Sequence, residues 1–593
     1  MDYQKIGLKC GLEIHQQLEG KKLFSDCPAY IEQDDAPHTK VIRTLRAVVG
    51  EQGVVDDAAQ KEQEKAKYYV YRCYPNTCSL VELDEEPPHL MNPHSLMTAL
   101  QIAKVTQAHI IDEIQVMRKT VVDGSNTSGF QRTALVAVQG SVPSSHGPVR
   151  IPTIAIEEDA AKIITRTATY DEYNVSRLGI PLIEIGTDPD IISPEHAQEV
   201  AQYLGMILRS TGRVKRGLGT IRQDVNVSIA GGNRIEIKGA QDLQMLPTWV
   251  HNEAVRQTRI LALKDRFTTQ VTPLKEVTMH TKDATSSLLQ KAQQVYGMVL
   301  PNACGLLGEE LMPNYRVGTD IADVCKVLVG IGGIVHSDEP FSKYGMKDTQ
   351  QLYKALGATQ KDAVILLVCA KEVAQKAREV IIQRLQQLSQ GVPKEVRKAN
   401  ENGTTSYLRP MPGSARMYPE TDTIPLQVHD WDIQVPELLT QKSERYQQAY
   451  SLAKDLADAL VWSSSWDVFE HVVKVSSLKP ASVAEQLISV PVMLKRKHNI
   501  ERNITKEEWL LVFEALAQQT ITSTVIVDIF AKQTHLGDAI ASYSVADEAT
   551  TKKIVEQVVA QHAGKTKGAL FGLIMKQGTF DGKLVNTLLD ELL

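Results

Sequence analysis

The chain has 593 residues, a formal net charge of −6 at pH 7, 43% hydrophobic and 23% charged residues. That length is too great for one hydrophobic core and predicts about three or four domains, in a composition typical of an ordinary soluble protein. The slight acidity argues against a generally nucleic-acid-coating protein while leaving room for a local basic patch. Seven cysteines, at 10, 27, 73, 78, 304, 325 and 369, are too few and too unevenly spaced for a disulfide framework, so a reducing compartment is expected. Met1-Asp2-Tyr3-Gln4-Lys5 lacks a basic region followed by an apolar core. The apolar run from Ala363 to Ala370 falls far short of the roughly 18 residues that span a bilayer. A cytoplasmic protein without a membrane segment is therefore expected, and no low-complexity tract or fixed-period repeat stands out.

Near the N-terminus, Lys9-Cys10-Gly11-Leu12-Glu13-Ile14-His15-Gln16 alternates. Glu13 and His15 share one strand face and Leu12 and Ile14 the other. The first pair is either a hydrogen-bonded polar face or two ligands for one cation. Cys27, Cys73 and Cys78 lack a fourth zinc ligand and the usual spacing.

Residues 117 to 133 read as a basic strand end, a Gly/Ser/Asn-rich loop and a further basic residue. Such a loop either turns a hairpin or offers backbone N–H groups and hydroxyls to phosphate. In the second case Arg118, Lys119 and Arg132 supply charge and Ser125 a hydroxyl. The familiar nucleotide loops fail here. Gly564-Lys565-Thr566 has Val559 where a glycine is needed, and Gly330-Ile331-Gly332 has Val335 in place of the third glycine.

Glu157-Glu158-Asp159 before Ala160-Ala161-Lys162 is expected to be a solvated helix start, with a metal site as the alternative. In Pro181-Leu182-Ile183-Glu184-Ile185 a lone carboxylate sits inside an apolar run. Burying it costs several kcal/mol, on the order of the penalty for an unpaired ion, so Glu184 requires a partner or a metal. Residues 223–229, a turn at 231–233 and residues 234–238 read as a hairpin of period two. One face carries Asp224, Asn226, Ser228, Arg234, Glu236 and Lys238, and is either wet or the floor of a site.

Past about residue 275 helix-like segments alternate with short apolar runs, Val327-Leu328-Val329 and Ala363 to Ala370, before the helix-forming stretch Lys371 to Leu388. This is an α/β-type insert of roughly 130 residues. Within it Gly318-Thr319-Asp320 is rejected as an asparaginase-type nucleophile. Arg416 to Asp422 reads as extended chain returning to the first domain. Glu437 to Leu460 has helical spacing, and Thr505-Lys506-Glu507-Glu508 forms a capping box. A basic cluster, Lys495-Arg496-Lys497-His498 with Arg502, is either a solvated linker or an RNA-backbone contact.

Taken together, Gly11 to Leu18, Glu157 to Lys162, Arg177 to Ile185 and Ile221 to Ser228 closely resemble the E-subunit family of archaeal glutamyl-tRNA(Gln) amidotransferases, itself related to the B subunits of the bacterial-type enzyme. The resemblance covers essentially the whole chain. Asp123 to Thr133 and the long insert favour the E type over a B type that also acts on aspartyl-tRNA(Asn). The insert, through Gly308 to Leu311, Arg316 to Thr319 and His336 to Pro340, is similar to a domain of bacterial aspartyl-tRNA synthetases. Lys567 to Lys576 looks like the tail domain shared by the B and E types. The B type often carries extra cysteines near the positions of Cys27 and Cys78; this chain does not.

The resemblance implies a multidomain α+β architecture. A catalytic antiparallel-sheet cradle covers 1–275 and continues at about 405–430; the insert covers 276–404, a helical domain 431–490 and a helical tail 491–593. It implies that ATP phosphorylates the γ-carboxylate of glutamate on tRNA(Gln), and that ammonia displaces the phosphate. Mg²⁺ is the expected cation, with Mn²⁺ as a substitute because histidine is an unusual magnesium ligand. His15, Glu157 and Glu184 are the implied metal ligands, and Glu13 and Asp224 serve a second cation or an ammonia path. Arg118, Lys119, Ser125 and Arg132 are the expected ATP-phosphate contacts, and Lys495, Arg496, Lys497 and Arg502 the expected tRNA contacts. Ammonia comes from an asparaginase-like D subunit in a heterodimer or a dimer of heterodimers, with Asp224, Asn226 and Glu236 as candidates for a tunnel wall. A non-catalytic tRNA-binding scaffold is the competing function class, but a scaffold has no need of the acid at Glu184.

Overall fold

A computed structural model describes residues 1–593 apart from 34–36, 38, 47–62, 64, 65, 122, 283, 347, 348, 412–416, 419–421, 533 and 579. Two compact units emerge, Met1–Pro436 and Glu437–Leu593. Among the described residues no helix is long and apolar enough to cross a membrane.

An eleven-stranded sheet organises the first unit. Its strands include β1 (Lys9–Gln17), β2 (Val116–Thr120), β3 (Phe130–Val142), β4 (Val149–Glu158), β5 (Pro181–Gly186), β6 (Ile221–Ser228), β7 (Ile235–Lys238), β8 (Glu395–Ala399) and β9 (Thr405–Pro410). They lie in the order β9-β8-β7-β6-β1-β5-β4-β3-β2, with Met417–Tyr418 beyond β2 and His109–Ile110 also paired to β3. The returning segment thus reaches the sheet through Met417 and Tyr418, while Arg416 and Pro419 to Thr421 lie outside the described residues. Every neighbour pair is antiparallel except β7 with β8.

Alternation divides the sheet into two faces. Leu12, Ile14, Ile154, Ile156, Ile183, Ile185, Val225 and Val227 are buried on one of them. Helices α1 (Pro93–Val105), α2 (Pro194–Ser210) and α3 (Leu246–Leu263) pack there. Asn92 and Ser193 cap α1 and α2 with side-chain oxygens, and each of these helices has proline in its first turn, where the missing N–H costs nothing. The expected 223–238 hairpin is present, with Val225 opposite Ile237 and Asn226 opposite Glu236. The expected helix at 157–159 is absent. Glu157 and Glu158 end β4, and with Asp159 all three are 5% exposed or less. Local charge favours a helix start, but the pairing of β4 with β3 and β5 overrides it.

A second, four-stranded sheet holds the loop between β2 and β3. Tyr71 and Tyr173 donate hydroxyl hydrogen bonds to the backbone carbonyls of Gly124 and Asp123 at 2.8 and 2.6 Å. Gly124 has φ +86°, and a Cβ there would lie 2.1 Å from the Tyr69 ring, so only glycine fits.

The second unit is helical. Glu437 to Leu460, which reads as one helix, is split into Leu439–Tyr450 and Lys454–Trp462 by Ser451 at φ 52°. Thr505 accepts from the Glu508 N–H in the expected capping box. Towards the C-terminus three helices close around Val555, Val558, Leu570, Ile574, Val585 and Leu589.

In the insert, Ala363–Val368 forms a buried strand, whereas Val327 to Val329 ends helix α4 (Val317–Val329), with Val327 and Leu328 exposed. Helix α5 (Lys371–Gln390) follows that strand. Asp320 in the first turn of α4 belongs to a buried ionic knot with Glu253 and Arg256 of α3, Arg384 of α5, and Glu395 and Arg397 of β8. Arg384 donates to Asp320 at 2.7 Å and to Glu395 at 2.5 Å; Arg397 contacts Glu395 at 2.6 Å and Arg256 contacts Glu253 at 2.8 Å. Three guanidinium groups balance three carboxylates, and Arg397 is further bonded to Thr405 and Tyr315.

Burial alone would raise the Glu395 carboxyl, but Arg384 and Arg397 hold it down to about 2. Its stabilisation is therefore complete above its ordinary 4.5 and is lost as pH falls towards 2. Asp320→Ala strands buried guanidinium charge and is expected to lower unfolding stability by about 3–5 kcal/mol. Chemical denaturation reads this directly, and a loss below about 1 kcal/mol, the range of a surface pair, would contradict the assignment.

Candidate active site

On the face of the main sheet opposite the apolar core, register brings distant polar residues into one row. Strand β1 lies between β5 and β6, so His15 stands opposite Glu184 on one side and Arg222 on the other, and Glu13 stands opposite Asp224. Glu157 joins from β4, where it pairs with Leu182 of β5 and Thr133 of β3. Residues directly opposite one another across an antiparallel pair share a face, and the row follows from that rule.

His15 is its centre. Its Nε2 lies 3.6 Å from Glu157 Oε1, 3.6 Å from Glu184 Oε2 and 3.7 Å from Glu13 Oε1. Lys119 Nζ reaches Glu157 Oε2 at 3.5 Å and Glu184 Oε2 at 3.8 Å, and Thr133 Oγ1 donates to Glu157 at 3.2 Å. A cleft of about 410 Å³ is lined by Glu13, His15, Lys119, Ser125, Asn126, Glu157, Arg222, Asp224 and Lys238, among others.

Crowding of charge sets the protonation pattern. Burial would raise the Glu184 carboxyl, but the neighbouring His15 and Lys119 hold it down to about 2. Glu157 is pushed up by burial, against the pull of Lys119, and Glu13 is pushed up by burial and by the charge of Glu184. Burial works against the charged form of His15, yet Glu184 and Glu157 raise it overall. The acids outnumber the cations that face them, which is the arrangement a divalent cation relieves.

Donor atoms of Glu13, His15 and Glu184 all lie within 4.8 Å of one another. Carboxylate oxygens with one imidazole suit Mg²⁺ or Mn²⁺. One other such group occurs among the described residues, His146, His196 and Glu199. There the Ile192 N–H is donated to His196 Nδ1 at 3.3 Å, leaving the ring proton on Nε2, 2.8 Å from Ser144 Oγ. That nitrogen is filled by a proton, and Ser145 Oγ stands between His146 Nδ1 at 2.9 Å and Glu199 at 2.6 Å. Among the described residues Cys27, Cys73 and Cys78 form no such group.

At the far end of the cleft Asp224 accepts from Lys238 Nζ at 2.6 Å and from the Gly239 N–H at 2.9 Å, while Lys238 also pairs with Glu236 at 2.5 Å. Arg222 holds Asp159 at 2.5 Å, and Gln17 donates to the same carboxylate at 2.6 Å. Sequence reading gave no role to Arg222 or Gln17 and took Asp159 only as part of the acidic run at 157 to 159. Arg222 shares the parity of Asp224 along β6, a signal that extends the polar face one step earlier.

The expected phosphate contacts separate. Arg118 and Lys119 are consecutive in β2 and therefore face opposite ways. Lys119 and Ser125 line the cleft, whereas Arg118 pairs across the hairpin with Arg132 on the other face. Arg132 binds Asp422 at 2.8 Å and Glu158 at 3.4 Å, and Arg118 approaches Asp422 at 3.9 Å. The same parity rule places Glu157, and not Glu158, beside His15.

In the other unit Lys495, Arg496, Lys497 and Arg502 are exposed, with Lys495 paired to Glu501 at 2.9 Å and Arg502 to Glu508 at 2.7 Å.

The GatB/GatE catalytic domain profile matches residues 8–434, which contain every cleft residue named above. Proteins named as the E subunits of glutamyl-tRNA(Gln) amidotransferases are similar over almost their whole length. That of Methanococcus maripaludis strain C7 is 40% identical over 624 residues, covering 100% of this chain and 98% of its own. The Methanocaldococcus jannaschii protein is 39% identical over 623 residues, covering 99% of each. The Sulfurisphaera tokodaii protein is 40% identical over 607 residues, covering 97% of this chain and 96% of its own. This chain belongs to the GatB/GatE family.

Proposed function

We propose that the chain is the synthetase component of a tRNA-dependent amidotransferase, converting glutamyl-tRNA(Gln) to glutaminyl-tRNA(Gln) with ATP. The observation that carries this reading is the set of three carboxylates around His15 Nε2, with Lys119 against two of them. The names of the full-length relatives agree with it.

In the first step an oxygen of the glutamyl γ-carboxylate attacks the γ-phosphorus of ATP, the bond to the bridging oxygen breaks, and ADP leaves. In the second, ammonia attacks the acyl carbon, phosphate leaves, and the nitrogen loses a proton. His15, Glu157 and Glu184 would hold Mg²⁺, with Glu13 beside them; when bound, the ion neutralises phosphate charge and aligns the reacting groups. Lys119, itself raised by Glu157 and Glu184 against the effect of burial, supplies a fixed positive charge near the transferring group. Asp224, oriented by Lys238 and Gly239, is the proposed acceptor of the proton that incoming ammonia gives up. An asparaginase-like D subunit is the proposed ammonia source, with Asp224, Asn226 and Glu236 along the delivery path. We assign tRNA backbone contact to Lys495, Arg496, Lys497 and Arg502, and retain the likeness of the insert to that of bacterial aspartyl-tRNA synthetases as part of this reading.

Glu184→Gln is expected to lower amidation by on the order of 10²–10³-fold while the thermal transition stays close to wild type; wild-type turnover by this variant would sink the assignment. Because His15 and Glu157 hold protons more tightly than usual, Mn²⁺ or Mg²⁺ affinity should rise with pH above the ordinary histidine value of 6.5, and binding should release protons. Titration calorimetry at pH 7 in two buffers of different ionisation heat measures that release, and none would exclude His15 as a ligand. Asp224→Ala should impair glutamine- or asparagine-dependent amidation with the partner about tenfold more than amidation from free ammonium. Equal losses would remove Asp224 from the ammonia path.

A further inference from the structure

The loop between β2 and β3 carries one polar group whose hydrogen-bonding demand is unmet. Asn126 is 2% exposed and lines the cleft with Lys119 and Ser125, and its Nδ2 has no partner. Its Oδ1 lies 3.4 Å from Ser125 Oγ, but that hydroxyl has a single proton, already given to Asp123 Oδ1 at 2.6 Å. In this orientation the Asn126 Nδ2 is left without an acceptor.

Neighbouring groups are accounted for. Thr127 Oγ1 donates to the Glu82 carbonyl at 2.7 Å, the Gly129 N–H to the Asn126 carbonyl at 3.1 Å, and Gln131 Nε2 to the Glu158 carbonyl at 2.5 Å. Tyr71 and Tyr173 pin the loop backbone that carries Asn126. Buried polar groups are nearly always paired, and one left open in a cleft points to an acceptor that arrives with a ligand.

Resting on the reading above, we infer that Asn126 Nδ2 donates to a phosphate oxygen of the bound nucleotide and positions the phosphate chain against Lys119. A phosphate chain is rich in acceptors and extends over several atoms, so it can meet the cation and the amide together. The glutamyl carboxylate fits less well, because it has two oxygens and must leave one free to attack phosphorus. Asn126 contributes no charge, so its effect is on binding and alignment of the nucleotide.

The test uses the full-length chain. Asn126→Asp keeps the shape and replaces the donor by a carboxylate, which repels phosphate; Asn126→Ser keeps a shorter donor. Mg·ATP binding by calorimetry and the separate KM values for ATP and glutamyl-tRNA(Gln) are the readouts. Asn126→Asp should raise the dissociation constant and the KM for ATP about tenfold or more, with the KM for glutamyl-tRNA(Gln) within about twofold of wild type and Asn126→Ser intermediate. Unchanged ATP affinity in Asn126→Asp overturns the inference, as does a rise confined to glutamyl-tRNA(Gln), which would move the contact to the aminoacyl end. If Asn126→Asp loses its cooperative thermal transition, Asn126→Ser carries the same comparison, and wild-type ATP affinity in that variant overturns the inference. A wild-type chain that neither binds Mg·ATP nor forms glutaminyl-tRNA defeats the functional reading itself, whatever the variants do.

Discussion

The two-residue alternation of side chains, locked in register across antiparallel strands, is the constraint on which this molecule depends. It places Leu12 and Ile14 under the helices and Glu13 and His15 in the cleft, and it repeats that division on β4, β5 and β6. A slip of one residue on β1 would send His15 into the core and two aliphatic side chains into the site. The same pairing that buries the apolar face therefore assembles the catalytic face, and stability and chemistry share one determinant.

Two charged clusters in the first unit are built on opposite principles. The knot around Asp320, Glu395 and Arg397 is neutral and almost completely excluded from water, with each charge set against an opposite one. It ties the insert helices to the edge of the sheet. The cluster around His15 is half open and overfull of acids, and burial together with the charge of Glu184 drives Glu13 and Glu157 towards their protonated forms. A closed and balanced cluster holds elements together, whereas an open and unbalanced one has capacity left for a ligand.

Much of this was legible in the sequence where the pattern is local. The hairpin at 223–238, the alternation at 9–16, the capping box at Thr505 and the need of Glu184 for a partner all follow from short-range rules, and the structure contains them. What lay beyond reach depended on neighbours far away in the chain. The acids at 157 to 159 have the look of a helix start, and only their pairing with β3 and β5 makes them the end of a strand. Ser451 fits a helical pattern, yet its left-handed conformation ends the first helix. Arg118 and Lys119 were separable in principle, since adjacent strand residues cannot face the same way, yet composition alone grouped them. Asn126 carried no signal, because a missing hydrogen bond exists only after folding.

The single parallel pairing in the main sheet has a consequence for how the protein is made. The edge of β7 is complete when Lys238 has been synthesised, but its partner β8 begins at Glu395, roughly 150 residues later. At a translation rate of about 5–20 residues per second, that edge waits on the order of ten seconds on the ribosome. Throughout the interval it presents unpaired backbone groups, the kind of surface that recruits foreign strands. Glu395 and Arg397, which complete the ionic knot, emerge together on the same strand. The nascent chain thus carries a half-finished sheet until that strand arrives, and this is the stage at which a chaperone would have most to protect.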